Sequence, residues 1–246
     1  MGRSEKWFID GNILEIVSRH LYFDFTFTTA MNANEAAKQL AVKGKKSVFK
    51  FFRAYTQLGQ MCRQTFFKIF DAMIQPVLSY SADMWGLLVD NDPTEKVHLY
   101  ACKRFLNVAA CTPNKMVCGE LGRHPLKINY FVESVKLWFR LLHMDATRIP
   151  YQAYRMLVSL DSDGKCKWVT KLRHETGFGY VWLTQGVGDE QHFIRMFRQK
   201  LTDIDFQEWV AGLNASSRFD LYREFKTALN AETYLDCIKQ KCHRDC

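Results

Sequence analysis

The sequence predicts a mainly α-helical protein with a small β-hairpin or sheet remnant at its N-terminus, on three observations. Apolar residues recur at helical spacing from Asn32 onward. Alternation at period two is confined to Lys6–Phe27, and proline and glycine fall between the helical stretches. With 246 residues, 48% of them hydrophobic and 24% charged, the chain is long enough to bury about 70% or more of its unfolded surface. Such a chain folds as one large or two modest domains.

Each element has a local justification. Trp7-Phe8-Ile9, the Asp10-Gly11 turn and Ile13–Val17 form a hairpin signal, and Tyr22–Phe27 alternates aromatic with polar residues as a further strand. Two or three strands are marginal alone, so this sheet must pack on a helix or have lost neighbouring strands. Asn32 or Asn34 caps a helix through about Phe52 that carries Ala37, Leu40, Ala41, Val48, Phe51 and Phe52, with Gly44 as its weak point. A second helix runs from Arg63 to Ser79, kinked or broken near Pro76. Asp92-Pro93 opens a third, expected to continue to about Ala110 with Val97, Ala101, Phe105 and Val108-Ala109 as its core stripe, and Pro125 to Met144 is a fourth, with Tyr151 to Leu160 following. Asp161 to Gly164 is a turn that lacks the closing Glu of a calcium loop. Lys165 to Glu175 is a further helical candidate. The glycines at 177, 179, 186 and 188 make no dinucleotide fingerprint and are assigned to loop. Asp189–Leu201, Phe206–Leu213, Ser216–Leu229 and Ala231–Lys241 close the chain as short helices.

Thr112 to Leu126 is a corner, helix to short helix to helix: Thr112 caps, Pro113 fits the first turn, and Gly119 and Gly122 loosen or end it. Glu120 and Arg123 stand three apart, spaced to pair across the short helix, while Arg123, His124 and Lys127 form a small basic cluster. The corner reads either as a structural joint or as a site that anchors a nucleic-acid backbone. The eight cysteines are too sparse for a disulfide scaffold, and Cys62, Cys102, Cys111 and Cys118 fall within helical patterns as small hydrophobes. The terminal Cys237, Cys242, His243 and Cys246 have the residue types of a zinc site in an order no usual zinc module has, so no metal is expected.

Charge placement is the most informative feature. Lys and Arg number 34 against 26 Asp and Glu, a net charge of +8, and between Ala36 and Phe70 there are eight basic residues and no acid. Those eight are Lys38, Lys43, Lys45, Lys46, Lys50, Arg53, Arg63 and Lys68. A solvated helix normally mixes signs, so a basic face about 30 Å long reads as a match for successive phosphates, or else as a basic surface without a ligand. Hydrolase, Walker-loop and metalloprotease motifs are missing from the sequence. Neither a bilayer-spanning apolar run nor a signal-peptide core is evident, so the expected location is intracellular, in nucleus or cytoplasm, with no membrane partner.

An ordered series of motifs adds to this reading. Phe70-Asp71, Ile74, Pro76, Leu78 and Tyr80, then Trp85-Gly86, Lys96 to His98, Cys102 to Val108, Thr112 to Asn114, Gly119 to Leu126 and Val135 to Trp138 resemble the region downstream of the polymerase palm in LINE-type (non-LTR) retrotransposon reverse transcriptases. The likeness is continuous from about Trp7 to Leu142 and weaker beyond. It implies residual palm-like strands in 1–30, a thumb-like helical domain in 31–160 and a C-terminal helical region in 161–246. Two departures stand out. Tyr22-Phe23-Asp24 replaces the family's Tyr-Leu-Gly, and Tyr80-Ser81 its Tyr-Gly, so the backbone is in doubt wherever those glycines took positive φ. The polymerase carboxylates have no counterpart, since the chain contains no Asp-Asp pair and Asp83, Asp161, Asp163, Asp203 and Asp205 show no two-metal arrangement.

The expected function is therefore a non-catalytic, transposon-derived nucleic-acid-binding fragment that grips the backbone of RNA or an RNA/DNA duplex. No cofactor is expected, and any reverse transcriptase palm would come from another chain. The candidate contacts are Lys43, Lys45, Lys46, Lys50 and Arg53, with Arg123 and Lys127 as a second set. The alternative is a degenerate element fragment with no ligand, or with protein contacts only.

Overall fold

Backbone hydrogen bonding near the N-terminus goes into two separate antiparallel hairpins. In the first, β1 (Trp7–Ile9) pairs with β2 (Asn12–Leu14), Phe8 lies opposite Ile13, and Gly11 takes the positive φ of +79° that the Asp-Gly signal anticipates. In the second, β3 (Arg19–Tyr22) pairs with β4 (Phe25–Thr28). The single strand expected over Tyr22–Phe27 is corrected: Tyr22 and Phe25 are register partners on opposing strands. A hairpin satisfies backbone groups that a lone strand leaves unpaired. The computed structural model describes residues 7–9, 11–15, 17–22, 25–28, 33–58, 62–89, 92–162, 168, 170–171 and 179–236. The turn expected over Asp161–Gly164 is corrected in its first half, where Asp161 and Ser162 end a helix, while Asp163-Gly164, most of the 165–175 helix and the terminal cysteines lie outside the described residues.

The second hairpin docks on α1 (Ala33–Leu58), where the buried Thr26 donates to Gln39 Oε1 (2.5 Å) and Arg19 meets Glu35 (3.6 Å). At 26 residues α1 is about 39 Å long, and it buries Ala37, Leu40, Ala41, Val48 and Phe52 on one side. Gly44 lies on that side too. A Cβ there would stand 2.2 Å from Leu78 Cδ2, so Gly44 is a close-packing contact rather than the weak point its composition implied.

The second helix divides into α2 (Arg63–Ile69), a π turn over Phe70–Ile74 and α3 (Gln75–Leu78). Pro76 has no N–H to give the preceding turn and its ring crowds that turn, so the backbone widens just before it. Ser81, at φ +53°, then precedes α4 (Ala82–Trp85), and Trp85 Nε1 donates to Tyr80 O (2.8 Å). A short 3₁₀ turn, Gly86–Leu88, follows.

Next comes α5 (Pro93–Leu106), opened by Asp92, whose Oδ1 accepts from Thr94 N (2.8 Å). It stops four residues short of the expected end because Asn107 turns left-handed at φ +55°. Val108 and Ala109, expected in the core, are exposed. After α6 (Asn114–Leu121), Gly122 at φ +61° reverses the chain with the backbone N of Ala231 only 2.4 Å from where a Cβ would sit. There follow α7 (Lys127–Leu142), α8 (Ile149–Ser162), α9 (Gly179–Thr184), α10 (Glu190–Asn214) and α11 (Asp220–Phe225). Two expectations change here. Gly179 starts a helix instead of lying in a loop, and α10 is one helix where two were expected. Its 202–205 stretch stays helical because buried Leu201 and Trp209 anchor both sides while Asp203 and Asp205 bond to Gln199 and His124.

The described residues form three cores. The first joins α1, α2, the π turn, α3, α4, α5 and α6 around Phe66, Phe70 and Trp85. The second joins α7 and α8 to α9 and the first half of α10, so it spans the boundary at residue 160. The third is small, built on Trp209, Leu213 and Phe219. Among the described residues no helix is long and apolar enough to cross a membrane.

Candidate nucleic-acid interface

Helical phase sorts the basic row of α1. At 100° per residue, Lys43, Lys46, Lys50 and Arg53 fall within an arc of about 80°, while Lys45 lies about 100° from Lys46 on the other flank, in phase with Lys38. Lys38, Lys45, Lys46, Lys50 and Arg53 are exposed and Lys43 is half-buried. Between the flanks lie Val42 and Phe49, 57% and 50% exposed, so the outer half of α1 is a basic surface with an apolar centre line. Glu35, in the first turn, is the one acid of the helix.

The row is shorter than the sequence implied. From Lys38 to Arg53 it runs about 22 Å, because the continuous face expected through Lys68 is interrupted where α1 ends at Leu58. Beyond the break Arg63 turns to Asp236 (3.2 Å).

Packing supplies what phase alone hides. Helix α5 lies along the Lys45 flank, where Tyr100 meets Phe49 at a ring-centroid distance of 5.7 Å and an interplanar angle of 57°. The Lys45 ammonium stands 6.0 Å from the Phe49 centroid and 5.9 Å from that of Tyr100. One turn along, the Arg104 guanidinium covers the Phe52 ring at 5.2 Å. Lys96, Tyr100 and Lys103 share one stripe of α5 beside this seam. Lys103 also donates to Ala110 O (2.8 Å), holding the chain after the helix end.

The second candidate set behaves differently. The expected Glu120–Arg123 pair does not form: Glu120 accepts from Tyr234, and Arg123 reaches back to Asp71 in the π turn. That contact is bidentate, Nη1 to Oδ2 at 2.8 Å and Nη2 to Oδ1 at 2.6 Å, and the guanidinium lies 4.6 Å from the Phe67 ring centroid. Arg123 Nε also donates to the buried His98 Nε2 (3.3 Å). His98 Nδ1 in turn donates to Glu95 Oε1 (2.9 Å), whose Oε2 accepts from Leu126 N (2.7 Å). Although burial works against it, Asp71 raises the pKa of Arg123 further and keeps the charge in place. Lys127, at the start of α7, meets Glu208 across the surface at 3.4 Å. His124 pairs with Asp205 (2.8 Å), so the basic cluster of the corner is matched by acids residue for residue.

Among the described residues no three His, Cys, Asp or Glu side chains group together to hold a metal ion. Asp83 accepts from Arg140 (3.3 Å).

Sequence reasoning missed Phe49, Tyr100, Lys96 and Arg104 as members of the surface. A signal for Phe49 was present, since an aromatic seven residues from Val42 and out of phase with the core stripe must face outward. That α5 lies alongside left no local trace. No protein-family model, curated protein or solved structure matches the chain.

Proposed function

We propose that this chain is a non-catalytic nucleic-acid-binding protein that holds the backbone of RNA or an RNA/DNA duplex along the outer half of α1. One observation carries the reading: Lys45, Lys46, Lys50 and Arg53 are exposed on a helix whose one acid lies at its far end. Cations so placed neutralise phosphates and release counterions, which positions a strand without reading its bases. The motif series from Trp7 to Leu142 supports a descent from the thumb region of a LINE-type reverse transcriptase. Arg123 and Lys127 leave the proposed contact set, because acids already match them.

The test is a filter-binding titration of a labelled RNA/DNA heteroduplex at two salt concentrations. Five contacts, counting Lys43, give a log–log slope near −4.5 at about 0.9 per phosphate. Weak, salt-insensitive retention would refute the reading.

A second reading rests on a separate observation. On the N-terminal hairpins Phe8, Ile13, Leu21 and Tyr22 are all more than half exposed, apolar side chains suited to protein contacts such as a palm supplied by another chain. Concentration-dependent self-association, lost on Leu21→Lys, would favour that reading.

A further inference from the structure

Phe49 packs on Tyr100 along one side only: it stays half exposed at the centre of a basic helix face, and Val42, one repeat away, is more exposed still. An aromatic ring there loses apolar burial, so its surroundings must be asked what would cover it. Cations stand on both sides of it. Lys45 and Lys46 precede the ring by one turn, Lys50 and Arg53 follow it, and Tyr100 closes one side at 5.7 Å. A protein partner for this face would have to be acidic and aromatic-binding at once, whereas a nucleotide carries a phosphate and a π face together.

We propose that Phe49, backed by Tyr100, is a stacking site for an unpaired base of a strand whose phosphates lie on the α1 lysines. The Lys45 ammonium is 6.0 Å and 5.9 Å from the two ring centroids, so a phosphate held by Lys45 brings its neighbouring base to the outer face of Phe49. Stacking of this kind tolerates any sequence, since every base has a π face. A paired base turns only its edge outward, so the site favours single-stranded nucleic acid, or the unpaired end of a duplex, over a continuous duplex. The inference rests on the backbone reading above and adds the strand state it prefers.

The experiment measures fluorescence anisotropy of a labelled twelve-residue oligothymidylate, an abasic oligomer of equal length and a blunt heteroduplex. Wild type and Phe49→Ala are compared at two salt concentrations, with thermal melting as the folding control. Phe49→Ala should weaken oligothymidylate binding about tenfold, leave the abasic oligomer and the duplex unchanged, and keep the salt slope. Phe49→Trp should bind oligothymidylate at least as tightly as wild type. Equal losses on the abasic oligomer, or no loss on oligothymidylate, would overturn the stacking site while leaving backbone binding intact. Failure of the wild type to bind any of the three would overturn both.

Discussion

The α1 face and the Arg123 corner are both basic in sequence, and the fold treats them in opposite ways. At the corner, guanidinium, imidazole and ammonium each meet a carboxylate: Arg123 with Asp71, His124 with Asp205, Lys127 with Glu208. On α1 the acids are gone, apart from Glu35 near the hairpin, and four of the five proposed cations are exposed. Positive charge by itself therefore says little about ligands. What separates a joint from a grip is whether the fold seats each cation on an acid, as at the corner, or leaves a row of cations exposed to solvent, as at Lys45, Lys46 and Lys50.

The sharpest way to break this comparison is to remove the corner's principal cation. Arg123→Ala leaves Asp71 and His98 without their shared donor and should cost about 2–3 kcal/mol in urea denaturation. That is below the cost of breaking a fully buried pair because Asp71 is partly solvated. Nucleic-acid affinity of the folded variant should not change, and Arg123→Lys should recover little, lacking the bidentate fork. A smaller loss, about 1 kcal/mol, is expected for Asp71→Asn, which keeps a hydrogen-bonding oxygen but not the charge. If either variant weakened binding as much as a change on α1, the division between joint and grip would fail.

Ser81 tests the frame shared by both regions. A serine at φ +53° is strained, so Ser81→Gly should stabilise the protein by about 0.5–1 kcal/mol, read as a rise in melting temperature. The smallest effect concerns thiols. Burial, followed by the nearby Cys102 and Glu95, pushes the Cys118 thiol up, whereas the Thr65 hydroxyl and backbone N–H hold that of Cys62 down. Iodoacetamide at neutral pH should accordingly label Cys62 before Cys118, with mass spectrometry locating the adducts. Early labelling of Cys118 would mean that the corner is wetter than its hydrogen-bond network implies.

Local rules made part of this fold readable in the sequence. The turn at Gly11, the Asp92-Pro93 helix start and the core positions Val97, Ala101 and Phe105 need only neighbours a few positions away, and each stands where expected. The doubt raised over Ser81 was also local, and its positive φ explains it. What could not be read were choices between distant partners. Arg123 had Glu120 one turn away and took Asp71, 52 positions back, because the π turn before Pro76 presents that carboxylate with two aromatic rings beneath the guanidinium. Gly44 looked like a helix defect until Leu78 was placed against it. The aromatic centre of the basic face was half visible, since Phe49 is out of phase with the core, but its pairing with Tyr100 depends on how α1 and α5 pack.

The central claim is that the exposed lysines of α1 do the binding. It is tested most directly by a salt titration of heteroduplex binding with Lys45→Glu, Lys46→Glu and Lys50→Glu combined in one chain. Losing three of five phosphate contacts should lower affinity about a hundredfold near physiological salt and flatten the log–log slope from near −4.5 to about −2. An unchanged affinity and slope in a variant that melts like the wild type would contradict it.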